Sequence, residues 1–306
     1  MAITNNFGAG VSGTAYVPNS YAELGNSIGK VALQIIREVE AKNPLSAFDK
    51  GAIENGDTVE QAVAKLVEAS GYDQTGAGAL TKDTREKLAV KYFNNWQRHT
   101  YKTSVDFSKL RKILVSGKGA SDVAQKLVSV LGVSATNDRY QSLKALLHWG
   151  TQEQTTGQGD SPLVHIGTDQ TTIKGLLKAL KNAIKGMTFV NGTYNSIGLQ
   201  RGTKLEDIMV VMPYTLKNAI DVDELAGVFN LDKAELQSRI IETDSTDREV
   251  FIVDRNAIVK YNRLYEMADQ KNADGLFWNY FLHVEDLFAI SPLFDGCYIT
   301  YTSAIA

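Results

Sequence analysis

The sequence predicts an α+β chain, and three observations carry that reading. Several stretches place apolar residues at helical spacing. Others are short apolar runs, or runs rich in aromatic and β-branched residues, as strands are. The two kinds are mixed without the strand–helix–strand rhythm of a parallel α/β sheet, and the chain shows no internal repeat.

Taken in order, residues 1–20 are rich in Gly, Ser, Asn and Thr and read as an arm without its own core. From Ser20 to Ala41, the positions Leu24, Ile28, Val31, Ile35 and Val39 predict a helix that Pro44 ends. The segment DTVEQAVAKLVEA, 57–69, has two readings. Val59, Val63, Leu66 and Val67 fit a helix, while the alternation of Val59, Gln61, Val63 and Lys65 fits a strand. QTGAGA, 74–79, is a turn-forming tip, and YFNNWQRHTYKTSVDF, 92–107, predicts a strand.

Beyond Asp106, Ser121 is a plausible N-cap for a helix with Val123, Leu127, Val130 and Leu131 on one face. A second helix from about Asn137 to Trp149 carries Tyr140, Leu143, Leu146 and Leu147. TQEQTTGQGDSP, 151–162, is a loop or boundary. TTIKGLLKALKNAIKGM predicts an amphipathic helix with Ile173, Leu176, Leu177, Leu180 and Ile184 inward and its lysines mostly outward. EDIMVVMPY reads as a buried strand stopped by Pro213. AIDVDELAGVFN, 219–230, is a short helix with acidic residues in its first turn, where the helix dipole favours them. REVFIVDR is a strand, and NAIVKYNRLYEMA, 256–268, reads as a helix. The remainder gives two aromatic-rich strands with a turn near Pro292 to Gly296.

The totals narrow the function classes. A length of 306 residues suggests two domains, or one core with a large insertion. The formal charge of −3 argues against a dedicated nucleic-acid binder, which carries a basic domain or stripe. No apolar run is long enough for a membrane span, and the first residues lack the pattern of a signal peptide. Cys297 is the single cysteine, so an intrachain disulfide is excluded and a reducing compartment is expected. Four His and one Cys cannot build the usual zinc clusters.

A search for chemistry yields little. GAGVSG, Gly8–Gly13, matches G-x-G-x-x-G but lacks the preceding strand that phosphate binding needs. SGKGAS, Ser116–Ser121, lacks the first Gly of a phosphate loop and reads as a turn before a helix. His283 and Glu285 share a face if they lie on a strand, and with Asp286 they offer a hydrolase reading. No third ligand accompanies them, and a strand histidine among aromatics is the simpler account. His165 with Asp169 is weaker. Cys297 sits in an apolar strand where burial makes a thiol inert. The lysine face of 174–185 offers a nonspecific DNA contact, against the plainer reading of a solvated helix face. No catalytic, cofactor or metal site is therefore expected, and the chain reads as a structural protein rather than an enzyme.

Four blocks carry a resemblance. NPLSAFDKGAIENGDTVEQAVAKL, then WQRHTYKTSVDFSKLRKIL, then Tyr194–Leu236, then Val250–Thr300 resemble, in the same order, segments of the major capsid proteins of tailed bacteriophages with the Hong Kong 97-type fold. The similar group infects Gram-positive bacteria. One departure is local: Val105–Asp106 and Ile113–Leu114 stand where that family tends to Ile-Ser and Ala-Phe.

The resemblance implies an N-terminal arm at 1–50 and an extended E-loop hairpin at 51–105. It implies a peripheral domain with a spine helix at 106–165, joined by 290–306, and an axial domain at 166–289. It implies a capsid subunit of the virion, made in the host cytoplasm, that assembles with itself as pentamers and hexamers around double-stranded DNA. Portal and scaffolding proteins are implied partners, and DNA contact is nonspecific. An encapsulin-like compartment is the alternative within that fold. A two-stranded ribbon is marginal alone and needs a partner surface. The candidate inter-subunit contacts are accordingly Val59, Val63, Tyr92, Phe93, Trp96 and Tyr101. The sequence gives no basis for choosing residues of a covalent cross-link.

Overall fold

A computed structural model describes residues 40–53, 58–67, 69, 71–72, 74–76, 87–106, 117–152, 162–167, 169–220, 239–246 and 248–303, with the side chains of 117–124 excepted. The predicted arm, the helix up to residue 39, the tip beyond Gly76 and the acidic segment from Asp221 lie outside these residues.

In chain order, a 3-10 turn Pro44–Phe48 leads into β1 (Asp49–Ala52), β2 (Val59–Ala64), β3 (Leu88–Phe93) and β4 (Trp96–Val105). The helix α1 (Gly117–Trp149) follows, then β5 (Val164–His165) and α2 (Ile173–Met187). A second 3-10 turn, Leu205–Asp207, opens β6 (Ile208–Pro213), which runs into α3 (Tyr214–Ala219). The chain closes with β7 (Ile240–Thr243), β8 (Glu249–Asp254), β9 (Ile258–Asn272), β10 (Phe277–Ile290) and β11 (Gly296–Thr300). The mixture is α+β, as expected.

The strands form three sheets, ordered β1-β9-β10-β4, β5-β11-β8-β6-β7, and the ribbon β2-β3. The contacts divide the chain into two compact units, one built from 98–139 and 264–285 and the other from 43–97, 140–263 and 286–306. Within the larger unit β11 pairs antiparallel with β8.

In the larger unit the five-stranded sheet is a middle layer. Ile208, Val210 and Met212 of β6, Val250 and Ile252 of β8, and Cys297 and Ile299 of β11 point to one face. There they bury Leu176, Leu180, Ala183, Ile184 and Met187 of α2. Thr172 caps α2, its hydroxyl accepting from the Gly175 amide. The alternate residues Met209, Val211, Phe251 and Val253 point to the other face, against Tyr140, Leu143 and Leu147 of α1 and Leu45 and Phe48 of the first turn. Every residue of β6 is buried, which explains its uninterrupted apolar run.

In the smaller unit, Leu131 and Ala135 of α1 pack on Leu282 and Val284 of β10, with Tyr101 and Tyr280 at the margin. The Tyr101 hydroxyl donates to Asp138 at 2.8 Å. The hairpin joining β9 to β10 is set by Asn272, whose side chain accepts from the amides of Asp274 and Gly275.

Three expectations are corrected. The two helices expected near 121–132 and 137–149 are one helix of 33 residues beginning at Gly117, so Ser121 lies within it rather than before its first turn. Gly132, inside this helix, gives the Tyr265 hydroxyl room: a Cβ there would lie 3.3 Å from it. The segment 256–268 is not a helix but most of β9, fixed by strand pairing rather than local periodicity. The aromatic segment 92–107 is two strands with a break at Asn94–Asn95. The ribbon pairs Val59–Ala64 with Leu88–Phe93, while β1 and β4 belong to the four-stranded sheet.

Candidate functional site

The ribbon β2-β3 is antiparallel, with Val59 opposite Phe93, Gln61 opposite Lys91 and Val63 opposite Ala89 on one face. Glu60 opposite Tyr92, Ala62 opposite Val90 and Ala64 opposite Leu88 form the other. The two faces differ in burial. On the first, Phe93 packs with Val259 and Leu287, flanked by Val59, Trp96, Tyr261 and Ala289. The Gln61 side-chain amide and the Lys50 ammonium both donate to the Asn256 carbonyl, at 3.4 and 3.2 Å. Burial holds the Lys50 amine below its usual value, with Asp254 opposing the shift. Arg263 lies over the Trp96 ring at 4.8 Å.

The second face is exposed and apolar. Tyr92 is 61% exposed, Leu88 56% and Val90 38%. Small Ala62 and Ala64 stand between them, and Leu66 and Val67 continue the exposed apolar surface past the end of β2. Such a surface is suited to being covered by another protein surface.

The six sequence candidates therefore separate. Tyr92 lies on the exposed face. Val59 and Val63 are half-buried on the inner face, Phe93 is buried, and Trp96 is half-buried beside Arg263. Tyr101 belongs to the packing of the smaller unit. Sequence reasoning missed Leu88 and Val90. Strand alternation with Tyr92 was the signal that could have found them.

The residues of the hydrolase reading do not converge. His283 and Glu285 point to one side of β10 and Asp286 to the other. The His283 ring nitrogen Nδ1 lies 3.0 Å from the Thr100 hydroxyl, while Asp286 Oδ1 is 3.8 Å from Lys260 Nζ. His165 Nε2 sits 3.6 Å from Asp169, with its ring against Tyr298. Cys297 is fully buried, and burial pushes its thiol far up. From Gly117 on, the suspected phosphate loop is helix.

The buried charges work as clamps. Lys260, 1% exposed, is held between Asp49 of β1 and Asp286 of β10. Arg201 pairs with Asp254 at 3.1 Å and lies over the Phe294 ring, while the Thr203 hydroxyl donates to Asp295 at 2.7 Å. Burial raises both carboxyls above the ordinary value, and the hydrogen bonds and Arg201 oppose it.

The Phi29-like phage major capsid protein family matches residues 2–300. The chain is 25% identical to the major capsid protein of Bacillus phage GA-1 over 296 residues, covering 94% of this chain and 61% of that protein. It is 25% identical to that of Bacillus phage PZA, covering 93% of this chain and 64% of that one. With the major capsid protein of Streptococcus phage Cp-1 the identity is 23%, over 90% of this chain and 80% of that protein. The chain thus spans under two thirds of the length of the two Bacillus phage relatives. Among solved structures, a chain of the Staphylococcus phage Andhra capsid aligns with a TM-score of 0.74 at 13% identity, covering 99% of this chain and 97% of that chain. A chain from native bacteriophage P68 aligns with a TM-score of 0.70 at 14% identity, covering 89% and 88%. At these identities the structural likeness is one of fold.

Proposed function

Because the chain belongs to the Phi29-like phage major capsid protein family, we propose that it is the subunit of an icosahedral phage head. It assembles with itself as pentamers and hexamers around double-stranded DNA. The observation that carries this reading is the ribbon: its inner face is anchored in the chain's own core, while Leu88, Val90 and Tyr92 are exposed together on its outer face. Burying those side chains against a neighbouring subunit removes apolar area from water, and the gain repeats around a closed ring.

On this reading the ribbon is the E-loop, α1 is the spine helix of the peripheral domain, and the five-stranded sheet with α2 is the axial domain. Portal and scaffolding proteins are further partners, and assembly takes place in the host cytoplasm before the subunit becomes part of the virion. The family match favours a phage head over an encapsulin-like compartment, and the divergent His283, Glu285 and Asp286 give a hydrolase no constellation.

Electron microscopy of the purified protein, alone and with the head proteins of its own phage, tests the proposal. Closed shells of uniform size are expected. A protein that stays monomeric in both preparations sinks it.

A further inference from the structure

The outer face of α2 has no role in the packing described above. Lys174, Lys178, Lys181 and Lys185 are all exposed and follow one another at intervals of four, three and four residues. That spacing keeps them in one row on the side opposite Leu176, Leu180 and Ile184. At 1.5 Å rise per residue the row is about 16 Å long. The helix contains no Asp or Glu.

Four lysines elsewhere in the chain are held in ion pairs. Lys144 pairs with Asp244, Lys204 with Glu206, Lys217 with Glu242 and Lys260 with Asp49. Among the described residues, none of the four lysines of α2 makes an ion pair. Like charges at these spacings repel, and Lys174 in the first turn also opposes the helix dipole. The fold therefore maintains a row of one sign, at a cost to the helix, in a chain whose formal net charge is −3. A row that served only solubility would be equally well served by interspersed acidic residues, which would stabilise the helix.

We infer that this lysine row is a contact surface for the phosphate backbone of duplex DNA. The inference rests on the shell reading in one respect, that it names the surface of the subunit that meets the enclosed genome. Duplex DNA is the favoured polyanion because it carries one charge per ~1.7 Å of axis, so a row this long runs beside a stretch carrying about ten phosphates on its two strands. The contact requires no base recognition, since lysine is a point charge on a flexible stem. It also remains weak per subunit, because four cations release few counterions. Many copies in one shell then hold the DNA loosely and evenly.

The test uses the full chain as free subunits and a short random-sequence duplex, with affinity measured against salt. Each engaged lysine contributes roughly 0.9 to the log–log slope, so a fully engaged row loses about a hundredfold in affinity between 50 and 200 mM salt. The variant with all four lysines changed to Gln is expected to lose most of that slope, and the four-fold Lys→Arg variant to keep it. Unchanged thermal melts show that both are folded. A Gln variant that binds with the wild-type slope overturns the inference. So does tighter binding of a polyglutamate chain than of the duplex, which would point to an acidic protein instead. Sedimentation of the same proteins scores shell formation separately. Failure of the wild type to form shells overturns the shell reading alone, and the salt series still decides the lysine row.

Discussion

Val59 and Phe93 stand directly opposite each other across the β2-β3 ribbon, and both face the chain's own core. Their neighbours Glu60 and Tyr92, also a facing pair, point the other way. One step along the ribbon thus separates a folding contact from a candidate assembly contact.

Substitutions at 92 and 93 should therefore act on different measurements. Phe93→Ala is expected to destabilise the subunit by about 3–5 kcal/mol, as loss of a buried aromatic does. Tyr92→Ser together with Val90→Ser should leave the subunit's melting within about 0.5 kcal/mol of wild type while reducing shell formation in a sedimentation assay. A double variant that assembles normally, or one that unfolds the subunit, contradicts the proposed role of the exposed face.

Lys260 is the cation between Asp49 and Asp286. Lys260→Met leaves the buried Asp286 without it and should cost about 3–5 kcal/mol in denaturant unfolding. Adding Asp286→Leu removes the buried carboxylate and should recover part of the loss. If the double variant is as unstable as the sum of the single ones, Asp286 is not the group that Lys260 satisfies.

Asp295 gives a pH prediction with a definite sign. Its folded value is raised by burial, so folding favours the protonated form, and its contribution to stability falls as pH rises above the ordinary value near 3.8. Asp295→Asn removes that dependence. The melting temperature of wild type minus that of the variant should therefore fall as pH rises above about 4, and level off once the folded carboxyl is also ionised. A difference that grows over this range refutes the assignment.

Gly192 approaches the Gly198 carbonyl so closely that an added Cβ would lie 2.6 Å from its oxygen. Backbone cannot step aside as a side-chain tip can, so Gly192→Ala should cost about 1–3 kcal/mol in a thermal melt. Wild-type stability would show that the 191–201 turn can rearrange.

Legibility in the sequence followed the range of the interaction that decides each element. The runs that became β6 and β8, and the stripe of α2, are set by burial on two faces or one, and their residues say so. β9 was misread because Ile258, Tyr261, Leu264 and Tyr265 also suit a helix, and only its distant strand partners decide the matter. At the candidate site, Tyr92 was named for its residue type. Which face it occupies depends on the register with β2, a relationship no single stretch of sequence contains.

The clamp between Asp49 and Lys260 joins positions 211 residues apart. During synthesis β1 leaves the ribosome long before its partner strand exists. At ~5–20 residues per second the wait is on the order of 10–40 s. For that interval β1 has no β9 to pair with, and the four-stranded sheet cannot form. A nascent chain is thus unable to present a finished subunit until its last third has emerged.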